Sequence, residues 1–240
     1  MKNQKSDEKK QDIMREYYNS SEYYEDEDFL HSKKPSPFLQ HMINNVMSIY
    51  RPEKRERILD LGCGWGNISL TLQKEGHNVT GLDYSTKSID MCRKSARTLG
   101  LDDKKFVCRD AVHTEFDNAS FDVVYCADLV EHLYPDVYLD MLKEVQRILK
   151  PDGKFVIYTP NPSHIIEFMR SHNIILKQYH SHVDLKSMEQ LKQSLQNNHF
   201  TVKKAFYMES HLPVISLIEK LLQSFIPLFR RRNAVLAVKN

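Results

Sequence analysis

The 240-residue sequence has no paired cysteines, no uninterrupted apolar run of bilayer length and no large excess of charge. Cys63, Cys92, Cys108 and Cys126 stand singly, without a C-x-x-C. That spacing argues against both a disulfide framework and a zinc knuckle, and fits a reducing cytoplasm. The opening "MKNQKSDEKKQD" lacks the apolar segment of a secretory signal. The longest apolar-rich stretch, "PVISLIEKLLQSFIPLF" at 213–229, is broken by Glu219 and Lys220 and is too short to span a bilayer comfortably. A net charge of +2 carries no polyanion footprint, so nucleic acid is not an advertised partner.

With 41% hydrophobic and 28% charged residues, the chain can bury one large core, and a single soluble domain is expected. Residues 1–36 form a charged, partly flexible arm with the acidic, tyrosine-rich patch "SEYYEDEDF". From Pro37 to about Tyr50, helical spacing of apolar residues predicts a helix ahead of the first strand. Short apolar runs then alternate with amphipathic segments. Strands are expected at "RILDL", "HNVTGLD", "KKFVCRD", "FDVVYCA", "GKFVIYT", "FTVKKAFYM" and "NAVLAVK", and helices at 66–75, 86–99, 136–149 and 185–197. This β–α alternation predicts an α/β domain over 37–240: a doubly wound, mostly parallel seven-stranded sheet with helices on both faces and a final antiparallel strand.

"LDLGCGWGN" sets Gly62, Gly64 and Gly66 between the first strand and the first helix of the alternation. Glycines there let a ligand approach the backbone and face the helix N-terminus. Asp83 closes the second strand about 20 residues on, where a carboxylate meets ribose hydroxyls in doubly wound folds, and Asp110 follows the third strand over the same sheet edge. The loop reads G-x-G-x-G, with Asn67 where a dinucleotide fingerprint needs its third glycine, and Asp60 ahead of it would repel a pyrophosphate. Both features count against a nicotinamide-dependent oxidoreductase.

From about Arg57 to Phe200 the chain resembles the class I S-adenosylmethionine-dependent methyltransferases. The resemblance rests on "LDLGCGWG", Asp83, "RDA" at 109–111, "FDVVYCADLVEHL" and "LKPDGKFVIYTPN". It implies a Rossmann-like fold and S-adenosylmethionine as cofactor. It further implies that Asp60, Gly62 and Gly64, with Gly66 in the same loop, bind the methionine moiety. Asp83 would bind the ribose diol, Tyr84 would lie against the adenine, and Asp110 with Ala111 would contact the adenine amino group.

"ADLVEHLYPD" spaces Asp128, Glu131 and His132 at i, i+3 and i+4. On a helix the three would share a face. One reading is a capping box with Asp128 as N-cap and Glu131 reaching back, which leaves His132 as a satisfied polar residue or a single general base. The other is a divalent site, completed by His180 or His182 from "QYHSHVDL". Oxygen ligands suit Mg²⁺ or Mn²⁺, and imidazoles shift the balance toward Mn²⁺, Fe²⁺, Co²⁺ or Zn²⁺. The stretch resembles the E-x-x-E-H of ubiquinone-pathway O-methyltransferases and of small-RNA 3′-terminal 2′-O-methyltransferases; the latter add a later His, for which His182 is the better match. Asp128 stands where both groups have Glu. His164 and His172, among Ile165, Ile166, Phe168 and Met169, are expected to be lid or surface residues.

The insertion at 213–229, followed by Arg230, Arg231 and Arg232, carries a helical apolar stripe with a basic flank. It reads either as a structural cap or as an interfacial helix that gives peripheral membrane contact through 213–232. The expectation is a cytoplasmic O-methyltransferase for a small or lipid-like acceptor, with Glu131 and His132 at the chemistry. Methylation of an RNA 3′ end and a non-catalytic nucleotide-binding module remain its rivals.

Overall fold

The computed structural model describes residues 16, 19, 36–176 and 181–240. The N-terminal arm therefore lies outside the described residues apart from Glu16, Asn19 and Ser36, and so does His180. Helix α1 (Pro37–Ile49) starts where Ser36 Oγ accepts the Leu39 N–H at 3.2 Å and Pro37 fills the first turn. Its Leu39, Ile43, Val46 and Met47 pack with Ile58, Val79, Val123 and Tyr125 on one face of the sheet.

The alternation continues through β1 (Arg57–Leu61), α2 (Asn67–Lys74), β2 (Asn78–Asp83), α3 (Thr86–Thr98), β3 (Phe106–Cys108), β4 (Phe121–Ala127), α4 (Pro135–Ile148) and β5 (Leu149–Pro160). Then come α5 (Ile165–Ser171), α6 (Met188–Asn197), β6 (Phe200–Met208), α7 (Pro213–Leu222) and β7 (Arg232–Lys239). The seven strands lie in the order β3-β2-β1-β4-β5-β7-β6. β1 pairs parallel with β2 and β4, β2 with β3, and β4 with β5. β7 returns between β5 and β6 and runs antiparallel to both, pairing Val156 with Leu236 and Ala205 with Val235. The doubly wound sheet with an antiparallel last strand is as expected.

Central strands are apolar along their length because both faces are covered. Ile58 to Leu61 and Val123 to Cys126 are all buried. One core joins Leu59, Leu61, Val124, Phe155 and Val235 with Met141, Leu142 and Val145 of α4. The core under α1 covers the opposite face.

The chain reverses direction across the sheet between β1 and β4. Loops at the carboxyl ends of those two strands therefore part and leave a crevice, the usual ligand position in open α/β sheets. The insertion departs from its expected form. It is α7, which ends at Leu222, followed by a single 3₁₀ turn at Pro227–Phe229 with Pro227 in its first position, where no N–H is needed.

Candidate active site

Loops following β1, β2, β3 and β4 enclose a cleft of about 720 Å³, part of it open to solvent. Gly62, Gly64, Asp83, Tyr84, Asp110 and Ala111 line one end. Gly62 and Cys63 donate backbone N–H bonds to the Leu82 carbonyl at 2.8 and 2.9 Å, which folds the glycine loop back over β2. Asp83 accepts from the Gly64 N–H through one oxygen and from the Ser85 N–H through the other, both at 2.9 Å. Burial raises its pKa against the pull of those amides. Asp110 accepts from the Val112 N–H at 3.1 Å. The described part of the arm arrives here too: Asn19 Oδ1 accepts from Ser85 Oγ at 3.0 Å and Thr86 Oγ1 at 3.3 Å, next to Tyr84.

Two loop residues do not take the places expected of them. Asp60 is 2% exposed and sits beneath the cleft, accepting from the Ser69 N–H at 3.1 Å and Ser69 Oγ at 2.7 Å. Burial pushes its pKa up to about 6. Gly66 caps α2 with a left-handed backbone and faces Cys92 and Phe106 rather than the cleft. Both residues shape the loop from behind.

At the cleft's other end stand Asp128, Leu129, His132, Leu133 and Val137. No regular helix begins at Asp128. Residues Val130–His132 make one 3₁₀ turn, Leu129 precedes it without a side-chain cap, and Asp128 has φ +53°. The capping box is therefore not formed. Glu131 is buried and turns to Thr159, whose Oγ1 donates at 2.8 Å.

Asp128 also fails the expectation that it joins a metal site. Its carboxylate receives Nη1 of Arg232 from β7. The donor atoms of Glu131, His132 and His182 do come together, all within 4.8 Å of one another. The stretch from Ser181 to Asp184 is clamped onto this turn. Val183 and Asp184 N–H groups donate to the Glu131 carbonyl at 2.9 and 3.2 Å, and the His132 and His182 rings meet edge-on at 5.2 Å. His132 Nδ1 lies 2.8 Å from the Ser181 carbonyl, which can only accept, so Nδ1 carries the proton and Nε2 the lone pair.

Burial dominates the electrostatics of this group. It pushes Glu131 up to about 8, aided by the Asp128 charge and opposed by Arg232 and Thr159. It pushes His132 down to about 4. A neutral imidazole is the form that binds a metal, and a cation beside Glu131 would compensate a carboxylate that burial otherwise protonates. The three donors thus fit a divalent ion, with two nitrogens and one oxygen suiting Mn²⁺, Fe²⁺, Co²⁺ or Zn²⁺ better than Mg²⁺.

Several contributors carry no signal in the sequence. Thr159 and Arg232 lie on β5 and β7, 28 and 104 residues from their partners, and no local pattern marks them. Leu129, Leu133 and Val137 share a four-residue spacing that was legible as an apolar stripe, though not as a cleft wall.

Residues 58–153 match the methyltransferase domain family. A ubiquinone biosynthesis O-methyltransferase of Actinobacillus pleuropneumoniae serotype 7 is 35% identical over 130 residues, half of this chain and 55% of that protein. A sterol 4-C-methyltransferase of Caenorhabditis elegans is 33% identical over 102 residues, 42% of this chain and 30% of that protein. The chain thus matches at most about half the length of these curated relatives. Among solved structures, magnesium protoporphyrin IX methyltransferase from Synechocystis PCC 6803 with bound SAH superposes with a TM-score of 0.69 at 15% identity, covering 95% of this chain and 99% of that one.

Proposed function

We propose that the chain is a class I S-adenosylmethionine-dependent methyltransferase, and that it methylates an oxygen of a small or lipid-like acceptor, with a divalent metal held by Glu131, His132 and His182. One observation carries the reading. A single cleft has acids and glycines fit for a nucleoside at one end, and His132 with apolar walls at the other.

The residues fit the cofactor. A Cβ on Gly64 would meet nothing within 4 Å, so the loop backbone is open to a ligand there. The Asp83 carboxylate accepts from the backbone N–H groups of Gly64, Ser85 and Tyr84 and, with about four acceptor sites, has room for a ribose hydroxyl besides. Asp110 and Ala111 border the position of the base. When bound, S-adenosylmethionine supplies a methyl group on a sulfonium, and the chain's task is alignment and exclusion of water. Leu129, Leu133 and Val137 perform the exclusion on the acceptor side.

An acceptor hydroxyl must become more acidic to attack. With its pKa near 4, His132 is a weak base for a phenol at neutral pH, which favours a ligand role for its Nε2 over proton abstraction unaided. When bound, a divalent metal supplies Lewis acidity that lowers the pKa of a coordinated hydroxyl. The relatives' names, a ubiquinone-pathway O-methyltransferase and a sterol methyltransferase, support a small or lipid-like acceptor, which goes with peripheral membrane contact through 213–232. The near-neutral charge and apolar acceptor wall count against an RNA 3′ end.

Titration of S-adenosylmethionine and Mn²⁺ into wild type, His132→Ala and His182→Ala tests both halves. Each variant should lose metal by roughly 10- to 100-fold or more while keeping cofactor affinity within about threefold. A wild type that binds cofactor but no divalent ion would remove the metal from the proposal. Failure to bind cofactor would remove the proposal itself. Catechols and polyprenyl phenols are the acceptors to screen.

A further inference from the structure

We propose that α5 and α7 together form a docking face for an anionic lipid bilayer at the mouth of the acceptor site. Amphipathic helices ordinarily bury their apolar stripe and expose their charges. These two are inverted. The one buried residue of α7 is Glu219, while Val214, Leu217, Leu221 and, just beyond, Phe225 are 72%, 59%, 63% and 83% exposed. The one buried residue of α5 is Glu167, while Ile165 and Phe168 are exposed.

The buried glutamates hold this arrangement. Glu219 faces His164 Nε2 at 3.2 Å, accepts the Ser210 N–H at 2.6 Å and takes Arg231 Nη1 at 3.3 Å. Because His164 caps α5, the Glu219 contact ties the two helices into one lid. His164, expected on the surface or lid, is thus a buried lid fastener. Glu167 pairs with Arg170 at 2.7 Å and lies 3.6 Å from Nδ1 of His182, so the lid reaches the proposed acceptor end.

Charge selects the occupant. Residues 161–176 and 210–232 contain two carboxylates, Glu167 and Glu219, both buried in ion pairs. The charged groups of these two stretches left toward solvent are basic: Lys220 is exposed, and Arg170, Arg230 and Arg231 are half-buried; the neighbouring Glu209 is half-buried and accepts from Gln223 Nε2 at 2.7 Å, which leaves cations in excess. A second copy would bring like charge against like, whereas an anionic bilayer meets both the apolar side chains and the cations. No helix among the described residues is long and apolar enough to cross a membrane, so the contact is one of lying in the interface. That a lipid acceptor enters from this side rests on the methyltransferase reading; the docking itself does not.

Flotation of the full chain with pure phosphatidylcholine vesicles and with mixed phosphatidylcholine–phosphatidylglycerol vesicles tests the face. Binding should be at least roughly tenfold stronger to the anionic mixture. A Leu217→Ser/Leu221→Ser/Phe225→Ser variant should lose it by about 100-fold, and Lys220→Glu should weaken it by about tenfold. All four side chains are exposed, and an unchanged circular dichroism spectrum with wild-type cofactor affinity would show that fold and cofactor site survive. A protein that binds neither vesicle overturns the proposal. So does a concentration-dependent dimer that the triple variant abolishes without any vesicle binding, since the face then belongs to a second copy. Cofactor titration, run in parallel, reports on the methyltransferase reading alone.

Discussion

Asp60 is a carboxylate buried beneath the cleft. Its bonds to Ser69 fix the start of α2 under the glycine loop, and burial holds its pKa near 6. The folded pKa lies above the ordinary value of 3.8, so the group's contribution to stability is fully present below about 3.8 and is lost as pH rises through 6. The loss is at most about 3 kcal/mol. Asp60→Asn keeps an acceptor for Ser69 and removes the titration. Urea unfolding of the cofactor-free protein at pH 5 and pH 8 should show wild type losing stability relative to the variant at the higher pH. The variant should also retain S-adenosylmethionine binding within a few-fold; a loss of 100-fold would mean that the charge itself pairs with the methionine ammonium.

Within the loop from β1 to α2, glycines two residues apart do different work. Gly64 has φ +50° and open space where a Cβ would go. Gly66 has φ +76°, and its Cβ would stand 2.9 Å from Cys92 Sγ and 3.1 Å from Phe106. Gly64→Ala should therefore cost only about 1 kcal/mol of stability, the price of a left-handed alanine, while weakening cofactor binding by tenfold or more. Gly66→Ala adds overpacking and should cost about 2–4 kcal/mol in denaturant unfolding. The motif was legible in the sequence; this division of labour was not, because it depends on what α3 and β3 bring behind the loop. The same holds for "ADLVEHLYPD". Its spacing suggests a shared helix face, but Asp128 is left-handed and the turn is one of 3₁₀; Glu131 and His132 still meet, with His182, while Arg232 takes the Asp128 carboxylate.

For the molecule as a whole, the cofactor end of the cleft spans the ends of β1, β2 and β3, so ligand binding should stabilise the whole sheet. Saturation at 100 times the dissociation constant corresponds to about 2.7 kcal/mol. For a chain of this size that raises Tm by about 5–10 °C. Asp83→Ala should abolish the shift in a thermal melt, since Asp83 both anchors Gly64 and faces the ribose position.

The sequence by itself determined the seven strands, their alternation with helices, the glycine loop and the two acids at consecutive strand ends. Those features follow from local periodicity and turn chemistry, which a short window of residues contains. It also showed that 213–229 is an apolar stripe with a basic flank. Tertiary structure alone decided that Arg232 on the last strand neutralises Asp128, that Thr159 holds Glu131, and that Ser181 fixes the tautomer of His132. It alone turned the stripe of α7 outward by giving Glu219 buried partners in His164 and Arg231. Those pairings join residues 12 to 104 positions apart. They depend on which strand lies beside which and on where the chain reenters the sheet, and no local pattern of side chains carries that information.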